Sequence, residues 1–73
     1  MDEKEIRERL LREDVEFKRI FEEHRRQDEQ LAALRNKSLL TDQEKFEESE
    51  LKKRKLALKD KMYQMMSDYR KSL

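Results

Sequence analysis

The sequence predicts an all-α protein: an antiparallel two-helix hairpin of coiled-coil character, with a short N-terminal helix and a tendency to oligomerise. Three observations carry that expectation. Charged residues make up 51% of the chain and Gly and Pro are absent, so strong helix formers dominate and the usual breakers are missing. Two long segments repeat apolar residues at alternating spacings of four and three, the period of one helix face. Thr41-Asp42-Gln43-Glu44 is a capping box, a helix start in mid-chain.

The elements follow in order. Ile6, Leu10 and Leu11 form a short apolar cluster, read as a helix over about residues 2–12. Asp14 can cap a second helix beginning at Val15, with Glu16 well placed in its first turn. That helix, over about residues 15–36, carries Phe17, Phe21, His24, Asp28 and Leu31 on one face, widened by Ile20 and Leu34. Asn36 tolerates the left-handed backbone that ends many helices. A loop over 37–41 leads to a third helix over about residues 42–71, whose seam reads Leu51, Lys55, Leu58, Met62, Met65 and Tyr69.

A loop this short joins antiparallel neighbours. A bend centred between Leu39 and Leu40 pairs residues whose numbers sum to about 79. Phe21 then faces Leu58, Phe17 faces Met62, and Leu10 approaches Tyr69. The expected hairpin core is Leu10, Phe17, Phe21, Leu31, Leu51, Leu58, Met62, Met65 and Tyr69. Residues 1–35 carry 9 Lys/Arg against 11 Asp/Glu, and residues 36–73 carry 10 against 7. Opposite signs suit two segments lying side by side.

Lys55 stands where the seam asks for a hydrophobe. The same register brings it opposite His24 and Asp28, the polar positions of the second helix. A lysine stem can lie along apolar neighbours while its ammonium reaches a carboxylate. Such a layer costs stability and can fix register and oligomer state. His24, Asp28 and Lys55 are therefore expected to set register rather than perform acid–base chemistry. There is one His and no Cys, which leaves too few ligands for a zinc site. No cofactor, metal or small-molecule substrate is expected.

Phe46, Leu56, Tyr63 and Met66 lie off the intrachain seam. A helix apolar on two faces needs two partners, so these four are the expected self-association surface. A small core points the same way, because a two-helix unit alone is marginal. The run KKRK at 52–55 suggests nucleic acid. Its side chains point in different directions on a helix, acids flank them, and no aromatic residues interleave. No apolar run is long enough for a signal peptide or a membrane span, so a cytoplasmic protein is expected.

LLRED at 10–14, Phe17, FEEH at 21–24, Asp28, Leu31 with Leu34, LTD at 40–42 and LKKRKLALKDKM at 51–62 together resemble the YdcH-like family of small bacterial proteins, built around a domain of unknown function. The resemblance spans about residues 10–66. It implies an antiparallel helical hairpin, a bacterial cytosolic setting and no assigned activity. The polar positions it carries over are His24, Asp28, Lys55, Lys59 and Asp60. Val15 stands where the family usually has proline, Glu48 where it has Leu or Met, and Lys61 where an acid is common.

The functional expectation is a non-enzymatic helical interaction or structural protein that pairs with itself or with another coiled coil. The alternative is a nucleic-acid-associated or regulatory accessory protein that uses the basic face of residues 52–61. A single continuous helix pairing in parallel with its copy is the competing architecture.

Overall fold

The computed structural model describes residues 1–73 and contains three α-helices and no strand: α1 (Glu3–Glu13), α2 (Val15–Arg35) and α3 (Asp42–Lys71). Each start has a side-chain cap that satisfies a free amide of the first turn. Asp2 accepts from the Glu5 N–H at 2.8 Å, and Asp14 accepts from the Phe17 N–H at 3.1 Å. Thr41 and Glu44 form the reciprocal pair: the Thr41 hydroxyl accepts from the Glu44 N–H at 3.1 Å, and the Glu44 carboxylate accepts from the Thr41 N–H at 3.0 Å.

Asp14 separates α1 from α2. Its backbone is extended (φ −120°, ψ 107°), its N–H donates to the Leu10 carbonyl, and its side chain caps α2. One residue thus ends one helix and begins the next, although Val15, not proline, follows it. Asn36 departs from the sequence expectation. It is right-handed (φ −78°, ψ −9°), and no residue of the chain has positive φ. The end of α2 closes instead by ordinary backbone bonds, Asn36 N–H to the Ala32 carbonyl and Lys37 N–H to the Leu34 carbonyl. The helix is broken across residues 36–41, so α2 and α3 are separate helices and the molecule measures 48 × 20 × 15 Å.

α2 lies along α3. Residue numbers rise on one as they fall on the other: Glu16 meets Lys61, Asp28 meets Lys55, and Lys37 meets Glu44. The core gathers at the end away from the bend. Ile6 and Leu10 of α1, Phe17 and Ile20 of α2, and Met62 and Met66 of α3 form one buried cluster. Leu11, Phe21, Leu58, Met65 and Tyr69 are half-buried around it. Nearer the bend, only Leu31 and Leu34 are buried.

Three expectations about the core need correction. Met66, expected on the association surface, is buried in the cluster with Ile6 and Leu10. At 100° per residue Met66 lies only about 40° from Met62 around α3, so a third helix that covers Met62 also covers Met66. Ile6 and Ile20, outside the expected core, are among its most buried members, at 0% and 1% exposure. Both follow from α1 folding back onto the α2–α3 pair. Leu51, expected in the core, is only half-buried and lines a groove near the bend.

Candidate functional site

Two features of the surface stand out: a polar layer between α2 and α3, and a set of uncovered apolar side chains on α3. The polar layer exists because α2 presents His24 and Asp28 one turn apart on a common face. Lys55 reaches it from α3, with Nζ donating to Asp28 Oδ1 at 2.5 Å. The pair is not sealed from water: the Lys55 side chain is 30% exposed and that of Asp28 is 55% exposed. The ammonium beside it, first through this hydrogen bond and then through its charge, holds the Asp28 carboxyl below its usual range.

His24 sits behind this pair, half-buried, with its Nε2 out of contact with solvent and without a hydrogen-bond partner. Burial lowers its pKa first. The Lys55 charge adds to the effect, Asp28 opposes it, and Lys59 contributes a smaller lowering. The imidazole therefore takes up its proton only below the ordinary histidine range. Gln27, three residues on, also has a buried and unpartnered oxygen, Oε1. Such atoms have a desolvation cost. His24, Asp28 and Lys55 are thus brought together, and His24 also lines a small cavity with Glu3, Arg7 and Lys59.

The basic stretch of α3 is largely paired. Lys52 meets Glu48 at 3.2 Å, Lys53 meets Glu50 at 3.6 Å, and Lys61 meets Glu16 at 3.1 Å. Lys59 lies 5.9 Å from the centre of the Tyr63 ring, a cation–π contact. Lys61, at a position where an acid is common in the resembling family, finds its acid on α2. Glu48, at a seam position, turns its carboxylate to Lys52.

The apolar surface comprises Phe46, Leu56 and Tyr63, at 65%, 59% and 48% exposure. Leu56 and Tyr63 are seven residues apart and share a face. Phe46 lies on a different one, at the edge of a groove of about 560 Å³ near the bend. Ala33 and Leu34 from α2 and Leu51 from α3 form its apolar lining, with charged residues around them. The sequence marks Phe46 as off the seam, but nothing in its periodicity reveals the groove. That depends on α1 being too short to reach this end.

No helix is long and apolar enough to cross a membrane. No curated protein and no solved structure matches the chain. A family model does match, over residues 17–66, a span that takes in the polar layer, the bend and the apolar surface of α3. The chain therefore belongs to the DUF465 family, described as protein of unknown function, with which the YdcH-like resemblance is consistent.

Proposed function

We propose that this protein is a non-enzymatic helical interaction module of the bacterial cytoplasm: an antiparallel, coiled-coil-like hairpin of α2 and α3 that pairs with itself or with another helical protein. The observation that carries this reading is the exposure of Phe46, Leu56 and Tyr63 on α3. The buried core holds only eight residues, and a unit with so little interior gains from covering large apolar side chains. The polar layer supports the same reading. A lysine–carboxylate pair inside an otherwise apolar seam favours one alignment of the helices over its neighbours.

Light scattering across a concentration series tests the association. The expected result is a mass above that of one chain at tens of micromolar. A single-chain mass at hundreds of micromolar, with no helical protein captured, overturns the reading.

A further inference from the structure

The groove near the bend is uncovered because α1 packs at the opposite end of the molecule. Its apolar lining includes Leu34 and Leu51, and Phe46 stands exposed at its rim. It also holds two acids, Glu47 and Glu50, and two bases, Lys37 and Arg54. A two-fold interface sets one patch against itself, so the patch must complement its own charges. This one does.

The spacing on α3 makes the match specific. Glu47 and Arg54 are seven residues apart, two turns along one face. Neither forms an ion pair within the chain, whereas Lys37 and Glu50 are engaged with Glu44 and Lys53. When two copies of α3 cross antiparallel about an axis between Glu50 and Leu51, Glu47 of each copy stands level with Arg54 of the other. Phe46 lies one residue outside that pair, at the open rim of the partner's groove.

We propose that two copies of this chain join groove to groove about a two-fold axis, each seating Phe46 in the other and each setting Glu47 against Arg54 of the other. The inference rests on the self-association reading and names its face and its partner. Leu56 and Tyr63 lie elsewhere on α3 and take no part.

Sedimentation equilibrium on the full chain tests it, with helicity by circular dichroism as the control for folding. The wild type is expected to be a dimer. Phe46→Glu should weaken dimerisation by about tenfold or more, the loss expected of a central aromatic anchor. Glu47→Arg alone sets like charges together twice, and so does Arg54→Glu alone, so each should be mainly monomeric where the wild type is a dimer. Mixing these two single variants should restore a mixed dimer, and the double variant should recover the homodimer. A monomeric wild type overturns this inference together with the self-association reading. A dimer that withstands Phe46→Glu and both single reversals places the contact elsewhere, which overturns the groove and leaves self-association standing. Single reversals that weaken the dimer without rescue on mixing overturn the Glu47–Arg54 pairing.

Discussion

Lys55 of α3 donates to Asp28 of α2 at 2.5 Å, tying the two helices together at the layer where the seam of each lacks an apolar residue. The pair is open to water and sits among charges, so its Coulomb energy is screened and its contribution to stability is small. The role we propose for it is alignment. A shift of one helical turn along α2 would take the ammonium away from its only carboxylate, to His24 in one direction and to Leu31 in the other.

Lys55→Met therefore leaves the protein folded, with a thermal midpoint within about 5 °C of the parent, since exposed pairs contribute little. What changes is uniqueness. The methionine accepts several alignments, so the variant should populate more than one assembly state across a concentration series. A single unchanged state, seen by native mass spectrometry or light scattering, counts against a register role for this layer.

Stability should fall as pH drops below the ordinary histidine value of 6.5. The folded protein holds His24 neutral, first by burial and then by the Lys55 charge, while the unfolded chain takes up a proton near that value. The unfolded state then binds more protons, so stability is fully present above 6.5 and is lost as pH falls towards the lower folded value. Asp28 and Glu44 add a second decline at more acid pH. Their folded values are depressed by hydrogen bonds from Lys55 and Lys37, and their contributions vanish on protonation. His24 is the only histidine of the chain, so His24→Leu should flatten the first decline and leave the second. Urea midpoints measured between neutral and mildly acid pH check this, and an undiminished slope in the variant refutes it.

Ile6 is completely buried although it lies in the first helix, outside the α2–α3 pair. Ile6→Ala removes side-chain volume from the cluster that holds Phe17, Ile20, Met62 and Met66 together. The expected cost is about 2–5 kcal/mol, a large share of what a domain this size has. Urea unfolding measures it. Hydrogen exchange should show α1 amides losing protection first, with Met66 becoming accessible to oxidation. A loss below about 1 kcal/mol would mean that α1 is not a working part of the core.

The all-α class was legible because it depends on local chemistry: the composition, the four-three rhythm, and caps such as Thr41 with Glu44, whose partners lie within one turn. The polar layer was legible for a related reason. A short loop leaves few alignments, and the conspicuous lysine of the seam found its carboxylate. The burial of Met66 was not legible, because it depends on the direction in which α1 leaves Asp14 and returns to α3, and apolar spacing within a helix does not encode direction between helices. The groove beside Phe46 was hidden for the same reason, being defined by the reach of α1. Asn36 misled because its tolerance for left-handed backbone is a permission and not a requirement.

Asp14 carries the last prediction, because two helices depend on it. Its carboxylate caps α2 through the Phe17 N–H, and its extended backbone turns the chain so that Ile6 and Leu10 return to the core. Asp14→Ala removes the cap, at a cost of about 1 kcal/mol. It also places the best helix former at the break, so a continuous α1–α2 helix competes with the folded arrangement. Such a helix carries Ile6 and Leu10 away from Met62 and Met66, and it separates Glu13 from Tyr69, whose hydroxyl now donates to that carboxylate at 3.4 Å. The variant should lose stability beyond the cap alone while keeping or gaining helical circular dichroism, a combination that simple unfolding does not give. Asp14→Asn retains a capping oxygen and should restore most of the loss. Equal losses in the two variants would mean that the carboxylate charge, and not the break it maintains, is what matters at this junction.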